Sequence, residues 1–257
     1  MLNLAPINGK ALFLHMQNFQ SPSGGLSYLF KQSFFYWNKA LLYNLLFSII
    51  YLVLFFAGYF YLFQYFGLWD EFVKIRDLVQ TDMSAFNKQM EEIARRPEAA
   101  NFSLAFFLLI ALLNPLNVGL YRIYRKIDLN EKIVFSDLFA GYQGLDFFKF
   151  VGFYLFWMII FTYANAFLFL GVVWIFITLF CVPLMYFMNV TTFRGIGLTW
   201  QILKNNFSTV FICCAVALLF ALSGVILCGI GFVLTFPFLN AMIYTLYRYF
   251  YKEVEEK

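Results

Sequence analysis

The sequence predicts an all-α fold, a polytopic transmembrane helical bundle of six spans with both termini inside and an amphipathic helical loop outside. Three observations predict it. Of 257 residues, 63% are hydrophobic and 12% charged, against roughly 45–50% and about 25% in soluble domains. The charges are missing from four long stretches, and Lys and Arg are unevenly spread along the rest. With 37 Phe and 17 Tyr the chain is also far too apolar to be disordered.

The four stretches set the spans. Ala40 to Trp69 holds 30 uncharged residues, Ala99 to Tyr121 holds 23, Phe150 to Phe193 holds 44 and Asn205 to Tyr247 holds 43. A charge at mid-bilayer costs about 2.5–3.5 kcal/mol on insertion scales. A helix needs about 20 apolar residues to cross the hydrocarbon. The first two stretches therefore hold one span each, and the last two fold back as hairpins. The expected spans are 40–66, 101–123, 147–164, 167–190, 207–227 and 230–250, following an N-terminal segment 1–39. Asn165 and Cys228-Gly229-Ile230-Gly231 supply the hairpin turns, where glycine permits positive φ.

Orientation follows from the retention of Lys and Arg in the cytoplasm. Termini inside keep Lys10, Lys31, Lys39, Arg122, Arg125, Lys126, Lys132, Lys149, Arg194, Lys204, Arg248, Lys252 and Lys257 there, 13 of the 18 basic residues. The other five lie in the loop 67–100 beside seven carboxylates.

Residues 1–39 lack a charged-then-apolar leader pattern. Within them Leu26, Leu29, Phe30, Phe34 and Trp37 recur at helical spacing, with Lys31, Gln32 and Ser33 on other faces, which predicts a short helix in the headgroup plane. In the loop 67–100, Phe72, Ile75, Val79, Met83, Phe86, Met90 and Ile93 form a seam of 3.5-residue period. Asp70 and Glu71 suit the start of that helix and Arg95 and Arg96 its end before Pro97, with a break near Thr81 able to divide it. The seam either packs on the spans or the bilayer surface, or it receives a partner helix. After Arg122, Ser136 is the expected N-cap of a short interfacial helix bearing Leu138, Phe139 and Tyr142.

No ionisable residue falls firmly inside a span, so the charges that drive proton-coupled transport or intramembrane hydrolysis are not expected. Amides and hydroxyls remain. Pro115, Pro183 and Pro237 should kink the second, fourth and sixth spans, with Asn114, Asn117, Thr235 and Asn240 beside them, either to improve packing or to shape a cavity. Cys214, Ala217, Ala221, Gly224 and Cys228 form a small-residue stripe suited to close helix packing. His15 is the one histidine and the four cysteines have no ligand spacing, so no metal, cofactor or catalytic site is expected.

One resemblance covers the second half. Asp137-Leu138-Phe139 with Gly141 and Tyr142, Pro183, a segment with Trp200, Leu203 and Lys204, then Cys228-Gly229-Ile230-Gly231 and Thr235, Pro237, Ala241 and Tyr244 follow in that order. This order resembles an uncharacterised family of bacterial six-helix integral membrane proteins, related to the membrane domain attached to some glycerophosphodiester phosphodiesterases. The resemblance implies a six-helix fold and a bacterial inner membrane, and it supplies no active site.

The function expected is that of a non-enzymatic accessory or scaffold subunit of an inner-membrane assembly, with the lipid bilayer and other membrane subunits as partners and no nucleic acid. The alternative is a passive or lipid-facing transporter built on the proline-kinked helices. An enzyme would have to draw its site from Asp128, Glu131, Asp137, Asp146 and nearby arginines, whose spacing reads as an ordinary solvated loop.

Overall fold

In the computed structural model, residues 25–226 and 229–255 are described, and among them every regular element is helical. Helix α1 (Gly25–Lys39) leads into α2 (Leu41–Tyr65). Three short helices follow, α3 (Leu68–Ile75), α4 (Leu78–Thr81) and α5 (Met83–Ala94). Next come α6 (Pro97–Leu113), α7 (Leu116–Asp128) and a 3-10 helix (Phe135–Tyr142). The remainder is α8 (Asp146–Asn165), α9 (Leu168–Thr178), α10 (Cys181–Phe187), α11 (Thr192–Ile226), α12 (Ile230–Thr235) and α13 (Phe238–Glu255).

Among the described residues five helices are long and apolar enough to cross a membrane: Leu41–Tyr65, Pro97–Asp128, Asp146–Asn165, Phe169–Phe187 and Thr192–Ile226. They carry the first five expected spans. The second and fourth are each bent pairs, α6 with α7 and α9 with α10. The segment expected as a continuous helix over 230–250 is instead α12 and α13, meeting at Pro237.

Each proline acts through its missing N–H and through the clash of its ring with the carbonyl four residues back. Pro115 separates α6 from α7, and the Tyr142 hydroxyl donates to the carbonyls of Leu112 and Leu113 at the end of α6, at 2.7 and 3.2 Å. Pro237 separates α12 from α13, and Trp37 Nε1 donates to the Leu234 carbonyl at 2.9 Å. Pro183 lies in the first turn of α10, where no N–H is needed, and the chain bends before it at Phe180. One further kink has no proline. Asn206, with φ −130° and ψ 21°, interrupts α11, and its amide donates to the Ile202 carbonyl at 3.3 Å. The segment carrying Trp200, Leu203 and Lys204 is set off from the fifth span by this kink.

The main core gathers around α7, α10 and α13, with Leu116, Leu120, Tyr124, Phe180, Tyr244 and Tyr247 fully buried. Helix α1 docks on α13 through one face and leaves its other apolar side chains exposed. Leu29, Ser33 and Tyr36 are its buried residues, while Leu26 and Phe34 stay exposed. Ser33 reads as polar surface from its neighbours Lys31 and Gln32, yet its hydroxyl is satisfied inside, bonding the Leu29 carbonyl and Thr245 Oγ1 at 2.9 Å each. Helix α2 shows the opposite distribution. Val53, Phe56, Phe60, Tyr61 and Tyr65 are exposed along it, an apolar surface suited to hydrocarbon and not to water.

The closest approach in the fold sets α7 against the 3-10 helix. A Cβ on Gly119 would lie 2.0 Å from the Leu138 carbonyl oxygen, and one on Gly141 would lie 2.2 Å from that of Pro115. Backbone meets backbone there, with no side chain able to yield. Gly119→Ala should therefore lower the melting temperature in detergent sharply, by about 1–3 kcal/mol or more of stability. Gly152→Ala, in α8 with nothing within 4 Å of the added methyl, should leave the melt unchanged or raise it by up to about 1 kcal/mol. Equal responses from the two variants would refute the contact.

Candidate functional site

The polar heart of the molecule lies where α1, α7 and α13 meet. Asp128 ends α7, and its side chain is 15% exposed. Its Oδ1 accepts from the Tyr36 hydroxyl, and its Oδ2 accepts from the Tyr244 hydroxyl at 2.6 Å and from Arg248 Nε at 3.2 Å. Burial, and then the hydrogen bond to Asp128, raise the Tyr36 hydroxyl far above its ordinary pKa, which keeps it a donor. Further in, Tyr124 donates to Asn44 Oδ1 at 2.9 Å while Asn44 Nδ2 donates to the Trp37 carbonyl at 2.9 Å. Tyr121 donates to Asn240 Oδ1 at 3.3 Å.

A second carboxylate, Asp137, is 1% exposed. Its oxygens receive Arg122 Nε at 3.0 Å, Lys126 Nζ at 2.9 Å and the backbone N–H of Val134 at 2.9 Å. Two expectations are corrected here. Val134, not Ser136, is the cap residue of the 3-10 helix, because the Asp137 carboxylate reaches back to its N–H. Asp128 and Asp137 belong to buried ion pairs and not to a solvated loop, because α7 carries the helical period past Tyr121 and sets Arg122 and Lys126 on the face toward Asp137. A reading of charge spacing at i, i+4 through Arg122 and Lys126 would have found half of this. Nothing local points to Arg248, 120 residues beyond Asp128.

Chemically both carboxylates are committed to donors that fix helices. Among the described residues no group of three or more His, Cys, Asp or Glu is gathered.

The kink residues do not converge on one cavity. Asn114 Oδ1 accepts from Tyr51 at 3.2 Å and from Asn117 Nδ2 at 3.3 Å. It lines a half-open cavity of about 390 Å³ between α6 and α8 with Phe107, Tyr154, Trp157 and Thr162. Thr235 is elsewhere, donating to the Ala221 carbonyl at 2.7 Å, and Asn240 is taken by Tyr121. Pro115, Pro183 and Pro237 sit at helix joints. A second cavity, about 350 Å³ between α9 and α11, was absent from the sequence reading.

The small-residue stripe meets α12. Ala217, Ala221 and Gly224 are buried, and a Cβ on Gly224 would come within 2.5 Å of Thr235 Oγ1 and the Gly231 carbonyl. Cys214 is half-buried, its neighbour Cys213 is buried, and Cys228 lies outside the described residues.

No protein family, curated protein or solved structure matches this chain.

The seam of the 67–100 segment is not continuous, because the backbone breaks at Arg76–Asp77 and turns extended at Asp82, whose carboxylate caps α5 through Ala85 N–H at 3.0 Å. Ile75 and Ile93 are buried with Leu68, and Phe86 packs on them beside Phe63 and Phe102 from α2 and α6. Phe72 is half-buried. Val79, Met83 and Met90 are left 41, 52 and 38% exposed. Glu71 closes this unit, pairing with Lys74 at 2.6 Å and Arg96 at 2.8 Å.

Removing one partner of a buried pair strands the other, at a cost of about 3–5 kcal/mol. Asp128→Asn should accordingly destabilise strongly, whereas Asp128→Asn with Arg248→Met should lose much less than the sum; additive losses in detergent melts would disprove the pairing. The Glu71 carboxyl, held below its ordinary 4.5 first by Lys74 and then by Arg96, stabilises the clasp above the ordinary value and loses that contribution as pH falls through its own lowered pKa. Hydrogen exchange over residues 68–75 should accelerate on acidification below 4.5, with Glu71→Gln already fast at neutral pH and insensitive to acid. Acid-sensitive exchange in Glu71→Gln would assign the effect to another group.

Proposed function

We propose that the chain is a six-span protein of a bacterial inner membrane, with both termini cytoplasmic, that works through contacts as a non-enzymatic accessory or scaffold subunit. The sixth span in this reading is α12 with α13, and the excess of Lys and Arg outside the 67–100 segment, 13 of 18 in the sequence, supports the orientation. The family resemblance stated above belongs to the same reading. The observation that carries the function is the exposure of Val79, Met83 and Met90 on a polar segment whose remaining seam residues are used internally. Val and Met side chains left open on α4 and α5 beside a closed small core suit an apolar helix of a partner subunit.

The half-open cavity with Asn114 and Thr162 favours a second reading, passive movement of a lipid-like or small apolar solute along α6 and α8. Purification in mild detergent from native membranes separates the two. A stoichiometric partner should co-purify and should be lost from the triple variant Val79→Asp, Met83→Asp, Met90→Asp, with the melt of the chain unchanged. Recovery of the chain alone, together with solute flux in reconstituted vesicles, would overturn the scaffold reading in favour of transport.

A further inference from the structure

The groove between α9 and α11 combines an apolar floor with a single cation. Phe169, Val172 and Phe176 line it from α9, and Leu203 and Phe207 from α11. From Phe169 to Ile177 the α9 wall runs about 12 Å at 1.5 Å per residue. Trp200 and Lys204 complete the lining, with Lys204 Nζ 5.7 Å from the centre of the Trp200 ring. The Asn206 kink lies between Lys204 and Phe207. It divides α11 into two segments, and both contribute to the lining.

Several basic residues of the α1 end are already engaged, and Lys204 is not one of them. Lys126 and Arg122 hold Asp137, Arg248 holds Asp128, and Lys149 donates to the Met185 carbonyl and to Asn189. Lys204 is exposed and, among the described residues, no carboxylate pairs with it. A cation beside an indole in an apolar groove between membrane-length helices is complementary to an amphiphile with an anionic head.

We infer that this groove binds an anionic phospholipid, its phosphate at Lys204 and one acyl chain laid along α9 between Val172 and Phe207. A free phosphate would leave the apolar floor unused. A neutral lipid would leave the lysine without a counter-charge. Trp200 stacks beneath the ammonium and so both orders Lys204 and reports on the site.

Trp200 makes the site readable by fluorescence. The full chain in detergent is titrated with phosphatidylglycerol or phosphatidylcholine carrying brominated acyl chains, and the Trp200 signal is taken as the difference from Trp200→Phe. Phosphatidylglycerol should quench at about fivefold lower concentration, the factor corresponding to one basic residue at an anionic surface. Lys204→Gln, a change at an exposed side chain, should melt as the parent does and lose the preference. Val172→Phe, which narrows the groove, should weaken quenching by both lipids. Equal midpoints for the two lipids, a preference that survives Lys204→Gln, or quenching by neither lipid would each overturn the assignment.

Discussion

A carbonyl or carboxylate removed from water must be given a donor by the chain itself, since an unsatisfied backbone group in hydrocarbon costs several kcal/mol. The long apolar helices create this demand at every bend. Tyr142 answers it at the Pro115 bend and Trp37 at the Pro237 bend, each reaching from a distant element to a carbonyl near the end of the helix before the proline. The same constraint governs Asp128 and Asp137, each of which receives three donors. Bent helices and buried charges are thus stabilised by one set of aromatic and basic side chains around α7, and the order of the helices follows from where those donors lie.

The charge-free stretches were readable because insertion energetics act residue by residue: Leu41–Tyr65 and Asp146–Asn165 fall within two residues of the expected bounds. The breaks at Pro115 and Pro237 and the Gly229 turn, with its φ of 77°, were readable for the same local reason. What stayed hidden depends on pairing across the chain. Asp128 resembles a loop residue until Tyr36 and Arg248 are brought to it. Ser33 resembles surface until Thr245 faces it. The seam from Phe72 to Ile93 has a helical period throughout, and its division at Asp82 falls beside the break expected near Thr81, whereas the sides taken by Ile75 and Ile93 against Val79 and Met83 depend on pairing with α2 and α6. Of the candidate residues, Ala217, Ala221 and Gly224 lie in a packed joint, as their size suggests, whereas Asn114 and Asn240 lie apart. The groove at Lys204 flanks the Asn206 kink, and a single asparagine gives no local sign of one.

The surface and the interior exchange their usual roles. Large aromatic side chains on α2 face outward while Asp137, Asn44 and Thr199 are buried. Such an interior gains specificity from directional bonds, because apolar packing alone distinguishes poorly between a neighbouring helix and lipid.

The docking of α1 on α13 joins residues far apart in synthesis. Ser33 and Thr245 are 212 positions apart, so at about 5–20 residues per second the first helix waits roughly ten to forty seconds for its partner to leave the ribosome. Throughout that interval the Leu29–Tyr36 face is uncovered and the Asp128 carboxylate lacks Tyr244 and Arg248. Completion of this contact is therefore a closing event, in which α13 locks the much earlier α1 into place, and a truncation before α13 leaves that face open rather than making a smaller version of the fold.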